Sequence, residues 1–429
     1  MKEISKYTKL ALKAMDDKNF TDAITLLEEA LSNNDFDASS YLAMIYLTGL
    51  NGEVDEKKGM KYLLEGAAND DPKSLAALGD VYYTGKNVEK DLNQAKEYYL
   101  EASKYDEAHS IGMLGLFEYN EENYEKAVEY FKKSATYLDQ NAMYYLALCA
   151  YNGQGMEKNY ELSFMLFDKL YELNENNRIV IKYLADMYFN GYGIDKDLDE
   201  AKKLYEKLDD DESIFNLALI YKNYLKEYEK ALPLFKRVKS VESQFEQGIM
   251  LYNGLGIDEN KNEAYFKFYA CAMSKYIYSY PFVGDCYYYG YGVKKNYEEA
   301  IKWYEFSINE NLPNQYLNIA FAYMKLKKYD EAIKCLELEK NTVNKYKALA
   351  EVYLKLKKYS DAYNAYLEAA NLNDSYSTYE VSKMLKKGKG IKKDKELASK
   401  YYFKYLELIA LEDNENKWKN SLQSILIII

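Results

Sequence analysis

Apolar, small and polar positions follow one another along this chain in a pattern that repeats. A Leu, Val or Ile followed by a small residue appears at Leu42-Ala43, Leu78-Gly79, Leu114-Gly115, Leu146-Ala147, Leu184-Ala185, Leu217-Ala218, Val283-Gly284, Ile319-Ala320, Leu349-Ala350 and Val381-Ser382, with Gln247-Gly248 as a variant. Most successive pairs lie roughly 30 to 38 residues apart, the period of a helical-hairpin solenoid. After each pair and a turn comes a second small residue, trailed by large ones three and four positions on: Ala95 by Tyr98 and Tyr99, Ala127 by Tyr130 and Phe131, Ala300 by Trp303 and Tyr304. Those spacings share one helical face. A small residue beside large ones lets two helices approach closely while rings fill the gaps. The pattern predicts an all-α chain of about twelve hairpins, near 4–31, 41–68, 75–103, 111–136, 143–172, 180–208, 214–238, 245–272, 281–308, 316–339, 346–370 and 378–410.

The links inside these hairpins are of two kinds. Short ones such as NEENY at 120–124 and KLKKY at 325–329 and 355–359 leave little slack. Longer ones carry Gly-x-Gly: Gly153 and Gly155, Gly191 and Gly193, Gly254 and Gly256, Gly290 and Gly292, Gly388 and Gly390. Glycine ends a helix in the left-handed conformation and admits a neighbouring backbone, and the Asp or Asn that follows starts the second helix. A loop that recurs in the same slot is a turn, so catalysis is a poor account of it.

The glycine-containing units resemble Sel1-like repeats: Ala/Gly, two residues, Tyr, two residues, Gly, one residue, Gly, Val/Ile, then polar residues, Ala and a Trp/Tyr-Tyr pair. Residues 284–304 carry that motif as Gly284, Tyr287, Gly290, Gly292, Val293, Ala300, Trp303 and Tyr304, and Ala185, Tyr188, Gly191, Gly193, Ile194, Ala201, Leu204 and Tyr205 form another copy. The shorter units, such as 319–339 and 349–369, resemble tetratricopeptide repeats. The resemblance covers about nine tenths of the chain and implies packing and turn roles for these residues. It also implies a right-handed superhelix whose concave surface holds peptides or proteins. Units 41–68 and 75–103 depart from the pattern, the first with Gly49 and Gly52 and the second with Gly85 alone. The cysteine pair of secreted Sel1-like repeats is missing, which weighs against the hydrolase activity once suggested for that group.

The formal charge of −12 opposes a general nucleic-acid binder, which needs a positive field. Lysines 325, 327, 328, 355, 357, 358, 386, 387, 389, 392 and 393 nevertheless make the last quarter locally basic. They read as a solvated surface or as steering for an acidic partner. Cys149, Cys271, Cys286 and Cys335 are far apart and read as free thiols. No stretch is apolar enough for a secretory signal or a membrane span, so a cytoplasmic place is expected. Residues 1–410 are expected to form one continuous solenoid, with 411–429 a capping or partner-binding tail whose apolar end, SLQSILIII, favours oligomerisation.

Candidate chemistry is sparse. His109 is the single histidine; a zinc enzyme needs several converging ligands and a Ser-His-Asp site would have to use this residue. It is expected at an inter-repeat turn or on the surface. The acidic runs at 16–17 and 209–212 lack the ligand spacing of a calcium loop and read as caps and turns. No Gly-x-Gly continues into a phosphate cradle. We therefore expect no catalytic residues, no metal and no cofactor.

Tyrosine is the unusual residue, with 50 in the chain. It offers contact area and a hydroxyl at modest entropic cost. First-helix positions outside the packing stripe nominate Tyr83, Tyr145, Phe189, Tyr252, Tyr288 and Tyr323 as binding residues, with Tyr289 and Tyr291 around a turn; the alternative for each is packing between helices. The expected function is a non-enzymatic scaffold for a protein or extended peptide, an acidic one favoured. A self-assembling structural protein and a hydrolase or enzyme regulator of the Sel1-like type are the alternatives.

Overall fold

The structure, a computed structural model, describes residues 5–86, 88–313 and 315–426, with side chains through residue 412. It is all-α, with no strand among the described residues, and its twelve hairpins fall into two compact units, residues 1–213 and 214–429. Unit 1 pairs α1 (Lys6–Asp16) with α2 (Phe20–Ser32), α3 (Ala38–Thr48) with α4 (Glu56–Ala68), and α5 (Pro72–Thr84) with α6 (Leu92–Ser103). It continues with α7 (Ala108–Asn120) and α8 (Tyr124–Ala135), α9 (Gln140–Asn152) and α10 (Tyr160–Leu173), and α11 (Arg178–Asn190) and α12 (Leu198–Tyr205). Helix α13 (Asp211–Leu219) starts at the boundary, runs into a π-helical turn at Ile220–Leu225 and pairs with α14 (Tyr228–Arg237). Unit 2 then holds α15 (Val241–Asn253) with α16 (Lys261–Met273), α17 (Tyr280–Tyr289) with α18 (Tyr297–Asn309), and α19 (Gln315–Lys325) with α20 (Tyr329–Leu338). It closes with α21 (Val343–Lys355) and α22 (Tyr359–Asn371), and α23 (Ser375–Lys387) and α24 (Lys395–Leu426). Helix α24 passes through residue 411, where the tail was expected to begin; the side chains of the apolar end lie outside the described residues.

One side-chain arrangement recurs in every hairpin. Four residues after the small residue of the second helix stands a large one: Leu27, Leu63, Tyr99, Phe131, Phe167, Tyr205, Phe235, Phe268, Tyr304, Leu336, Tyr366 and Tyr402. The first eleven are at most 5% exposed, whereas Tyr402 is 43% exposed. Several of these rings press on a first-helix glycine. A Cβ on Gly79 would lie 2.5 Å from the Tyr99 ring, and one on Gly284 would lie 2.5 Å from that of Tyr304. The small residue of each Leu-small pair therefore makes room for its own hairpin's ring, and burying such a ring contributes about 1.5–3 kcal/mol.

Helix ends follow the capping chemistry expected from the links. Asp91, Asn159, Asp197, Asn260 and Asn296 each accept a backbone N–H of the second helix they precede. In the long links the two glycines have different tasks. Gly191 closes α11 in the left-handed conformation (φ +77°), and a Cβ there would fit, its nearest neighbour atom at an ordinary contact distance of 3.4 Å. Gly193 (φ +72°) lies against the first turn of α10 in the preceding hairpin, where a Cβ would meet the Tyr160 carbonyl oxygen at 2.1 Å. Gly155, Gly256, Gly292 and Gly390 make the same approach to the starts of α8, α14, α16 and α22. The second glycine thus registers one hairpin on the one before it. In the short links the left-handed position is held by Glu122, Lys226, Lys327 and Lys357, where a side chain costs about 1 kcal/mol relative to glycine.

Gly193→Ala is expected to destabilise unit 1 by about 2–4 kcal/mol because both conformation and space are lost, against about 1 kcal/mol for Gly191→Ala, which loses conformation alone. Urea unfolding followed by circular dichroism compares them, and equal losses would count against the registering role of Gly193.

Candidate functional site

The turn after α17 gathers four of the eight nominated aromatic residues. The Gly290 and Tyr291 amides both donate to the Cys286 carbonyl, at 2.8 and 2.9 Å, and the Gly292 amide donates to Asn262 Oδ1 on α16 at 2.6 Å. With its backbone pinned at both ends, Tyr291 stacks on Tyr289 at 5.4 Å and meets Tyr252 of α15 edge-on at 6.0 Å. The Lys261 ammonium sits over both rings, 5.4 Å from the centroid of Tyr252 and 5.2 Å from that of Tyr291, and pairs with Glu259 at 3.0 Å. Tyr289 is 51% exposed and Tyr288 meets it edge-on at 4.8 Å. Burial pushes the Tyr288 phenol up to about 12 and raises that of Tyr252. The Lys261 ammonium gives this aromatic patch a cationic edge.

The other nominated residues lie apart from this patch. Tyr145 stacks on Phe131 at 5.4 Å, with burial and, behind it, the Tyr83 phenol raising its pKa. Tyr83 itself meets Phe117 edge-on at 5.8 Å under Lys90. Phe189 meets Tyr205 at 6.1 Å under Lys196, and Tyr323 is half-buried beside Leu326 and Cys335. All four have a packing partner within their own or an adjacent hairpin and keep part of their surface open.

First helices also line clefts. In unit 2 a cleft of about 540 Å3 is bounded by Phe321 of α19, Asn344, Lys347, Glu351 and Lys355 of α21, Tyr366 of α22 and Tyr376 of α23. Lys347 pairs with Asp374 at 3.2 Å and lies over the Tyr376 ring. Among the described residues Asn344 and Lys355 have no side-chain partner inside the protein. In unit 1 a cleft of about 680 Å3 at the starts of α3, α5 and α7 is lined by Phe36, Asp37, Tyr41, Asp71, Tyr105 and Glu107.

Sequence reasoning missed a carboxylate set. Tyr99, Tyr205 and Tyr304 are at most 1% exposed, and their hydroxyls donate to Asp80, Asp186 and Asp285 at 2.6, 2.6 and 2.7 Å. A buried hydroxyl left without a partner would be costly, and repeats with Phe or Leu at that position avoid the requirement. The signal was present: each Asp directly follows the small residue of its pair and stands nineteen positions before its Tyr. Burial holds Asp186 and Asp285 above the ordinary carboxylate range, against the lowering effect of the tyrosine bond.

His109 joins the first of these pairs. It lies in the first turn of α7, with Nε2 2.7 Å from Asp80 Oδ1, and not in a free turn. The bond to Asp80 raises its pKa, while burial lowers it. All three groups are internally paired, and the small cavity of about 140 Å3 that His109 lines includes neither Asp80 nor Tyr99. Among the described residues no group of three or more His, Cys, Asp or Glu side chains is placed to hold a metal ion, and no helix is long and apolar enough to cross a membrane.

A model of the Sel1 repeat matches residues 37–71, 72–104, 140–175, 182–208, 241–266, 282–312 and 375–404, together more than half of the chain. The chain belongs to the Sel1 repeat family. A tetratricopeptide-repeat model matches residues 108–137 and 316–338, two of the hairpins with short links. No curated protein matches this Sel1 repeat chain. Among solved structures it is similar to c5321, a protective antigen present in uropathogenic Escherichia coli strains and displaying an SLR fold, at 20% identity over 91% of this chain and 90% of that one, with a TM-score of 0.58. It is also similar to a Sel1 repeat protein from Oxalobacter formigenes, at 21% identity over 54% of this chain and 98% of that one, with a TM-score of 0.45. The first likeness shows the solenoid fold. Sel1 and tetratricopeptide arrays are typically protein-interaction scaffolds and generally non-catalytic.

The His109 bond sets a pH dependence. A histidine whose folded pKa is raised contributes stability that is complete below its unfolded value, near 6.5, and is lost as pH rises through the folded value. The stability advantage of the wild type over His109→Gln, which keeps an N–H donor but does not titrate, should therefore shrink as pH rises past 6.5. Urea melts across that range measure it; a pH-independent difference would remove the role of charge.

Proposed function

We propose that this Sel1 repeat chain is a non-enzymatic scaffold that holds a protein or extended peptide against its first helices, and that unit 2 takes an acidic segment. The observation that carries this reading is the unit 2 cleft. It crosses three successive hairpins, pairs aromatic walls with cations, and leaves the Asn344 amide and the Lys355 ammonium without internal partners. Amide and ammonium donors beside Phe321 and Tyr376 suit a carboxylate whose neighbouring side chain is apolar. Glu351 between Lys347 and Lys355 disfavours two adjacent acidic residues at that point and so spaces the anchors. The patch of Tyr252, Tyr289, Tyr291 and Lys261 supplies contact area of the kind that anchors interfaces. A cytoplasmic place belongs to the same reading and is supported by four cysteines that are all free.

The test is fluorescence anisotropy with labelled peptides that alternate apolar and acidic residues, beside counterparts with Asn and Gln for Asp and Glu. Acidic peptides should bind at least about tenfold more tightly, and the preference should weaken with salt. Lys355→Glu should weaken binding by about tenfold, and the Tyr289→Ala, Tyr291→Ala pair by about fivefold. Equal affinity for the two peptide sets would overturn the acidic preference.

A further inference from the structure

The packing position that is buried in eleven hairpins is open in the twelfth, and this points to a second binding surface that the peptide reading does not use. On α22 the ring four residues after Ala362 is Tyr366, 5% exposed beneath α23. On α24 the equivalent ring after Ala398 is Tyr402, 43% exposed, and it is flanked by Phe403 at 65% and Leu406 at 43%. With Ala410, also exposed, these residues share an arc of about 100° on the helix. Tyr379 of α23 meets the Tyr402 ring at 6.4 Å, at one edge of the arc, and Phe403 and Leu406 remain exposed beyond it. Helix α24 has 32 residues and α23 has 13, about 48 Å against about 20 Å, so much of α24 runs beyond its hairpin partner.

The charges beside the arc indicate what covers it. Lys400 and Glu407 are seven residues apart and border the stripe on the same flank. In an antiparallel pair of identical helices, like flanks face each other. A crossing centred between Phe403 and Lys404 puts Lys400 of each copy opposite Glu407 of the other. The internal pairing of Lys400 with Glu396, at 3.1 Å, is largely exposed on both sides and so weak enough to exchange. The same arrangement opposes the helix dipoles favourably and closes after two copies, as a two-fold interface must. A parallel pair would set opposite flanks together, leaving Lys400 and Glu407 of the two copies on opposite sides of the seam and without this pairing.

We propose that α24 is a self-association surface, and that a second copy of this chain docks on it through antiparallel α24 pairing around Tyr402, Phe403 and Leu406. The exposed arc of α24 is filled by the same helix from another molecule.

Analytical ultracentrifugation of the full chain, from about 1 to about 100 µM, a range that captures weak interfaces of this size, tests the proposal. The wild type should pass from monomer to dimer. The double variant Phe403→Glu with Leu406→Glu should stay monomeric with an unchanged circular dichroism spectrum, since both side chains are exposed. Lys400→Glu and Glu407→Lys should each raise the dimer dissociation constant by about three- to tenfold. The double reversal, Lys400→Glu with Glu407→Lys, should restore it. A wild type that stays monomeric throughout, mass that grows beyond the dimer, a dimer that survives the double glutamate variant, or a double reversal that does not recover would each overturn it.

Discussion

The ring or leucine four residues after each second-helix small residue occupies space next to the first helix of its own hairpin. At Gly79 and Gly284 it occupies the very volume a Cβ would need. That interlock brings the two helices close enough for the ring to be sealed. Once sealed, its polar atoms must be satisfied, and Asp80, Asp186 and Asp285 do this for Tyr99, Tyr205 and Tyr304, while the Tyr366 hydroxyl is paired with Tyr376 of the next hairpin. Phe131, Phe167, Phe235 and Phe268 fill the same place without a hydroxyl and need no such partner.

A second constraint acts between hairpins. The second glycine of each Gly-x-Gly lets the link touch the start of the preceding second helix, so the turn that joins two helices also spaces two repeats. Residues next to that contact inherit its rigidity. Tyr291 lies between Gly290 and Gly292, and its ring is therefore held against Tyr289 and Tyr252 and beneath Lys261. A rigid aromatic group loses little entropy on contact. The scaffold's folding geometry and its candidate contact surface come from the same few backbone atoms.

The tyrosines show how far sequence pattern reaches. Tyr205 and Tyr304 read as mortar from their spacing, and they are buried. Tyr289 and Tyr291 read as surplus to the repeat, and one of them is half exposed. Tyr83 and Phe189 stand at the same first-helix position, four residues after the small residue of their pairs, yet they have acquired different neighbours, Phe117 and Tyr205. Which rings meet depends on the rotation of each helix about its axis, and residue spacing along one helix does not encode the side chains of another. The pairing of His109 was not legible for the same reason. Its partner Asp80 lies 29 residues earlier, and only the stacking of α7 on its neighbours brings them together.

What the sequence by itself determined is the local and periodic part: twelve hairpins, their links, the helix caps and the packing stripe. Each of these follows from interactions within about forty residues, repeated until the period is unmistakable. Tertiary structure alone decided which polar groups found partners and which surfaces stayed open. Asn344 and Lys355 look like any other helix residues in the chain, and Tyr402 carries the same motif position as Tyr366. Their exposure depends on whether another helix is stacked against them, and that is a property of the packed array rather than of any one repeat.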